Sequence, residues 1–255
     1  LTDATHATSV TVVTPTYDEA GNLRRHVESV LAQGPEYRLI IVDDASPDGT
    51  GDLADSMVTG AAGRLDVIRR PAKAGLASAY VAGIRRALRY EPRLIVLMDA
   101  DGSHDPADLP RLVAAAGASD VVLGSRYCPG GQTPGWPLWR RLLSRMGGRY
   151  AAAVLGLAVA DPTSGYRVMR RSAVGVIDLD AIRASGFAVN LELTWRFFRS
   201  GCRLGEEPIA FLDRLNGRSK LTPVIALEAA ILVWRLRFAG AKTQCNRKNR
   251  SAAAP

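Results

Sequence analysis

Three acids fall within seven residues in "MDADGSHDP": Asp99, Asp101 and Asp105. Carboxylates two residues apart can converge on a hard divalent cation, which would in turn bridge the oxygens of a diphosphate. The same residue types also cap helices, so both readings stay open for Asp99 and Asp101, while Asp105 reads as a cap and His104 as a structural neighbour of the acidic loop. A second pair, Asp43 and Asp44 in "IIVDDASPDGT", carries acceptor-only oxygens suited to base N–H groups and ribose hydroxyls. A second metal site or a turn signal fits that pair too. In "TPTYDEAGN", Pro15 and Tyr17 offer flat surface beside a base and Glu19 an acceptor, although an ordinary strand-to-helix turn capped by Asp18 or Asn22 has the same composition.

These groups need a scaffold that brings them together. The acidic stretches follow short apolar runs, "SVTVVTPTY", "YRLIIVDDA" and "RLIVLMDAD", and two further runs, "LDVIRR" and "DVVLGSR", have the same texture. Continuous rather than alternating apolar character marks strands buried on both faces of a largely parallel sheet. Between them, "EAGNLRRHVESVLAQ", "GTGDLADSMVTG", "GLASAYVAGIRRALRY" and "DPADLPRLVAAAG" have the three-and-four spacing of helices. The alternation predicts an α/β fold of the doubly wound, Rossmann-like kind, whose ligands bind at the carboxyl ends of strands. The acids after the strands therefore lie at a functional address.

After Arg126 comes a Gly and Pro loop, then a helix in "LWRRLLSRMGGRYAAAVLGL" with Pro137 suited to its first turn. There follow "DPTSGYRVMRR", the amphipathic "NLELTWRFFRSG", a strand in "EEPIAFL", the polar "DRLNGRSK" and an apolar helix over 222–239. The expected organisation is one domain over 1–239, with a first lobe at about 9–125, a second at about 126–239, and a basic tail, 240–255, without apolar periodicity.

With 255 residues and 47% hydrophobic content, the chain can bury a substantial core. Its net charge of +8 favours an anionic partner without choosing among nucleic acid, nucleotide, phosphorylated substrate and membrane surface. Three scattered cysteines argue against a zinc site or disulfide framework, and the opening residues lack a secretory pattern, so a cytoplasmic location is expected. The final apolar helix would be about 27 Å long and contains Glu228, Arg235 and Arg237, which favours a buried or interfacial helix over a span. There is no Gly-x-Gly-x-x-Gly or Walker pattern, which disfavours a nicotinamide cofactor or a P-loop ATPase.

Taken in order, "TPTYDEAGN", "IIVDDASPDGTGDLAD", "MDADGSHDP", "VVLGSRYCPGG", "WPLWRRLLSR", "DPTSGYRVMRR" and "DRLNGRSKL" resemble the inverting family 2 glycosyltransferases of GT-A fold. More narrowly they resemble the polyprenol (dolichol) phosphate mannose synthases, over about residues 10–238. The resemblance implies a donor nucleoside against Pro15, Tyr17, Glu19, Val42 and Asp44, and a metal, Mg²⁺ or Mn²⁺, with the donor diphosphate at Asp99, Ala100 and Asp101. Ser103 stands where some relatives carry a metal-binding Gln. Arg126, Arg140 and Ser144 match positions for a lipid phosphate, and Arg214 and Lys220 match a loop that closes over donor phosphates. The catalytic set so implied is Asp99, Asp101, Arg126 and Arg214.

The implied partners are GDP-mannose and a polyprenyl phosphate at the cytoplasmic face of a membrane, peripherally bound, with no nucleic acid and with a homo-oligomer open. The final helix, Trp136, Trp139, Trp234 and the basic tail are candidates for the membrane contact. Another sugar nucleotide is the alternative donor. A nucleotidyltransferase would need a Gly-rich phosphate loop, which "VTVVTPTYDEAGN" lacks, and a non-enzymatic lipid- or nucleotide-binding protein is the remaining alternative.

Overall fold

The structure, a computed structural model, describes residues 9–213 and 231–238. Strands β1 (Val10–Thr16), β2 (Tyr37–Asp43), β3 (Leu65–Arg69), β4 (Leu94–Leu97), β5 (Val121–Ser125), β6 (Arg167–Arg170) and β7 (Leu204–Pro208) form one sheet in the order β3-β2-β1-β4-β6-β5-β7. β1 pairs in parallel with β2 and β4, β2 with β3, and β5 with β7. Only β6 runs against its neighbours, with Arg167 opposite Leu97 of β4 and Leu123 of β5.

Both faces are covered, which is why the strands read as unbroken apolar runs. Residues of alternating parity part to opposite layers. Val13, Ile40, Val42, Leu97 and Met169 face α3 (Leu76–Leu88), α5 (Leu138–Leu155) and α7 (Ala188–Arg199). Val12, Leu39, Ile41, Val96 and Val168 face α1 (Ala20–Leu31), α2 (Thr50–Val58) and α4 (Leu109–Ala115). The short α6 (Arg171–Val174) follows β6 directly. Gly83 allows α3 to lie close on the sheet: a Cβ there would stand 2.2 Å from Cγ1 of Val13.

Among the described residues the expected helices form at their segments, the strand expected in "EEPIAFL" lies earlier, at Leu204–Pro208, and two helix ends need correction. Neither Asp18 nor Asn22 caps α1. Asp18 sits at φ 61°, Asn22 is buried with Nδ2 donating to Oε2 of Glu19 at 2.8 Å, and the Ala20 amide is taken by Oδ2 of Asp48 at 3.0 Å. Pro137 stands one place before the first helical residue of α5, at the cap. Strand β6 is absent from the sequence expectation, because four residues bounded by arginines show no strand period.

Residues 231–238 are helical. Val233 and Leu236 are buried, whereas Ile231, Trp234 and Phe238 are exposed. The rest of the expected 222–239 helix and the 240–255 tail lie outside the described residues. Among the described residues no helix is long and apolar enough to cross a membrane.

Candidate active site

The carboxyl ends of β1, β2, β4 and β5 converge on one edge of the sheet, and because β6 is reversed, its beginning lies on the same edge. At the end of β4 the Met98 amide still donates to the Val13 carbonyl, and then the chain turns. The Asp99 amide donates to Nδ1 of His104 at 3.0 Å, so the imidazole carries its proton on Nε2. His104 is buried, stacked on Tyr166 with ring centroids 4.8 Å apart and edged by Phe211. Burial lowers its pKa to about 4, against the pull of Asp101, so the ring is neutral.

Oδ1 of Asp99 accepts from the Tyr80 hydroxyl at 3.3 Å, a contact made from α3 beneath the loop. The carboxylate of Asp101 folds over its own turn, accepting from the Ser103 amide at 3.0 Å and hydroxyl at 2.5 Å, with Gly102 supplying the positive φ of 80°. Ala100 is buried between the two acids. Asp105 caps the short turn that follows, accepting from the Ala107 amide at 2.9 Å.

Asp99, Asp101 and Ser103 together present hard oxygen donors, a set that fits a divalent cation. No group of three or more His, Cys, Asp or Glu side chains that could hold a metal occurs among the described residues, so a cation here would complete its shell with ligand oxygens or water.

On the neighbouring strands, Pro15 and Val42 are register partners across β1 and β2, and Val42 turns its side chain toward Gly83 of α3. Tyr17 lies just past β1 with the Lys73 ammonium 3.2 Å from its ring centroid. Glu19 accepts from Asn22 at the start of α1. Asp43 and Asp44, adjacent in sequence, diverge in space. Asp43 is buried and binds the turn, accepting from the Ser46 hydroxyl at 2.5 Å and facing Arg69. Asp44 reaches the loop before α3, accepting from the Gly75 amide at 2.9 Å and pairing with Arg70 at 2.8 Å. The structure thus brings Pro15, Tyr17, Glu19 and Asp44 to the edge that also carries Asp99 and Asp101.

Arg126, at the end of β5, is forked onto Asp161 through Nε at 2.7 Å and Nη2 at 2.8 Å. Its guanidinium stands 5.3 Å from the ring of Phe211 and 5.9 Å from that of Trp136. Arg140 lies on the same indole at 3.9 Å and pairs with Asp213 at 3.0 Å. Ser144 is half-buried one turn along α5. Arg126 and Arg140 therefore meet around Trp136, while Arg214 and Lys220 lie outside the described residues.

Sequence reasoning missed Tyr80, Asp161 and Arg167. Arg167 is fully buried, its Nη2 donating to the carbonyls of Ser164 at 2.5 Å and Asn190 at 3.0 Å. Burial lowers its pKa to about 10, opposed by Tyr80, Asp161 and Asp99. The signal available was "DPTSGYRVMRR" itself, in which an acid and an arginine flank a run too short to show a period.

The outward face of α5 is unusual for a helix on a sheet. Leu138, Trp139, Leu142, Leu143 and Met146 are exposed there, Trp139 by 64%, and Arg141, Arg145 and Arg149 stand among them. Tyr150 continues this face and accepts from Nε1 of Trp234 at 2.8 Å.

A mostly parallel sheet between helical layers, with an acidic loop after its central strand, defines a GT-A glycosyltransferase fold. Crystal structures of glucosyl-3-phosphoglycerate synthase from Mycobacterium tuberculosis share that fold. One, in complex with Mn²⁺, UDP and glucosyl-3-phosphoglycerate, matches at a TM-score of 0.62 and 18% identity over 90% of this chain and 79% of that one. Another, with Mg²⁺ and UDP, gives a TM-score of 0.61. The chain belongs to glycosyl transferase family 2, whose model matches residues 11–177, and it is a glycosyltransferase.

It is 43% identical over 230 residues to polyprenol monophosphomannose synthase of Mycolicibacterium smegmatis, covering 89% of this chain and 86% of that protein. It is 42% identical over 226 residues to undecaprenyl-phosphate mannosyltransferase of Micrococcus luteus, covering 89% and 93%. Dolichol-phosphate mannosyltransferase of Pyrococcus furiosus is 34% identical over 234 residues, 89% of this chain and 63% of that protein.

Proposed function

We propose that the protein transfers mannose from GDP-mannose, with inversion, to a polyprenyl monophosphate, giving a lipid-linked sugar. The observation that carries this reading is the likeness, above 40% identity and nearly end to end, to proteins named for mannose transfer to polyprenyl phosphates. The site geometry supports it by placing an acidic loop and a pair of arginines on one sheet edge.

The nucleophile in this reading is a phosphate with a second pKa of about 6, so its dianion predominates near pH 7 and attacks the anomeric carbon without giving up a proton. The site needs no general base. Its work is to hold two anions together and to stabilise the departing nucleoside diphosphate. Pro15, Tyr17, Glu19, Val42 and Asp44 would hold the nucleoside. Asp99 and Asp101, with Ser103, would hold Mg²⁺ or Mn²⁺, which supplies charge neutralisation to the diphosphate. Arg126, Arg140 and Ser144 would take the acceptor phosphate, and Arg214 and Lys220 the donor phosphates. The exposed apolar and basic face of α5 would seat the protein peripherally on an anionic leaflet, with the arginines at headgroup level.

The test offers the purified protein a panel of sugar nucleotides with a short-chain polyprenyl phosphate and Mg²⁺ or Mn²⁺, and follows lipid-linked sugar. Transfer from GDP-mannose is the expected result. Transfer from a UDP-sugar alone would overturn the mannose assignment, and an unchanged donor throughout would overturn the enzymatic reading.

A further inference from the structure

The segment "DPTSGYR" has no assigned part in the chemistry above, yet it enters the site through the reversed strand β6. Its first residue, Asp161, is 0% exposed, and its carboxylate accepts four hydrogen bonds: from the Arg126 amide at 3.1 Å, Nε at 2.7 Å and Nη2 at 2.8 Å, and from the Thr163 hydroxyl at 3.0 Å. Thr163 closes the arrangement by also taking Nη2 of Arg126, at 2.9 Å.

Asp161 is itself held from behind. Glu206 of β7 accepts from the amides of Ala160 at 2.7 Å and Asp161 at 2.9 Å. Around the guanidinium stand the rings of Tyr127, Phe211 and Trp136. Three sides of Arg126 are thereby fixed, and among these contacts Nη1 is the nitrogen not engaged by Asp161 or Thr163.

We infer that Asp161 is a positioning residue for the acceptor phosphate, acting through Arg126: it locks the plane of the guanidinium so that Nη1 is presented in one orientation. The inference rests on the acceptor reading proposed above and deepens it. The physical ground is that an arginine side chain has several rotatable bonds, and a phosphate binding to a mobile one must freeze them. A fork onto a buried carboxylate freezes them beforehand. Burial by itself would push the Asp161 carboxyl up, but the Arg126 charge and the hydrogen bonds prevail and hold it below the usual carboxylate value, so the fork is ionic throughout the neutral range.

The experiment uses the full chain and a short prenyl monophosphate as probe. Binding is read by tryptophan fluorescence, because Trp136 lies beside Arg126, and separate KM values are measured for acceptor and sugar nucleotide. Asp161→Asn should raise the acceptor Kd and KM about tenfold or more and move the sugar-nucleotide KM by less than about twofold. Thr163→Val should act in the same direction more weakly, and it carries the test if Asp161→Asn does not fold. In an Arg126→Lys background, Asp161→Asn should add no further loss in acceptor KM.

Equal increases in both KM values, or losses that add in the double variant, would overturn the inference in favour of a structural ion pair. Wild-type protein that fails to bind the prenyl phosphate would sink the acceptor reading and the inference with it. Wild-type binding matched by both variants would sink the inference alone.

Discussion

The Asp99 amide donates to Nδ1 of His104 at 3.0 Å, so a neutral imidazole five residues downstream fixes the main chain where the first carboxylate leaves β4. His104→Phe would keep an aromatic ring against Tyr166 and remove the acceptor. The orphaned amide should cost about 1–3 kcal/mol of stability. Because the loop loses its anchor, the metal concentration for half-maximal turnover should rise as well. Thermal unfolding and a Mn²⁺ titration of turnover check the two effects, and an unchanged metal requirement would refute the anchoring role.

Asp101 serves its own turn and is also the proposed cation ligand. Asp101→Asn retains an acceptor for Ser103 but loses the charge. Turnover should fall about 100-fold or more, while the melting temperature shifts by only a few degrees. Near-normal metal-dependent turnover would remove Asp101 from the ligand set.

The exposed face of α5 makes a prediction independent of chemistry. Replacing Trp139, Leu142 and Met146 together with serine should abolish cosedimentation with vesicles containing anionic lipid and leave the melting temperature nearly unchanged, because these side chains are exposed. Binding by the unaltered protein should weaken as salt rises, through its arginines. Equal sedimentation of the two proteins would exclude this face as the contact.

His26 of α1, hydrogen-bonded to Thr14 at 2.9 Å, links stability to pH. Burial lowers its pKa to about 4, with His104 acting in the same sense, Asp101 opposing and Arg25 again lowering it. In the unfolded chain the value is about 6.5, so between these limits the unfolded state binds more protons. The stability from the neutral ring is complete above pH 6.5 and is lost as pH falls toward 4, at up to about 1.4 kcal/mol per pH unit. Urea unfolding at pH 7, 6 and 5 measures it. His26→Gln should lessen the decline without abolishing it, because His104, lowered to the same value, contributes over the same window, and a wild-type curve flat over that window would contradict the account.

The parallel strands and their helices were legible because burial on both faces writes itself as unbroken apolar runs, and the acidic loop was legible because it follows such a run. Side-chain partnership was not. Asp43 and Asp44 are neighbours in sequence, but one turns inward to Ser46 and the other to the loop at Gly75, a divergence set by strand pleat and turn geometry. Arg126 presents itself in sequence as a phosphate ligand, and nothing local announces Asp161, 35 residues on, as the carboxylate it meets. Arg167 inverts the usual rule for charge: it is buried with Nη2 received by two backbone carbonyls, that of Ser164 three residues back and that of Asn190, which only the fold brings near.

The place of β6 between β4 and β5 has a metrical consequence. One strand separates β4, which carries the acidic loop, from β5, which carries Arg126, so the two stations stand two inter-strand steps apart, about 9–10 Å along the backbone hydrogen bonds. That interval is ruled by the ladder of the sheet and is indifferent to side-chain identity. A change of residue at either station alters what is gripped, while the gap between the grips stays as constant as the spacing of the strands.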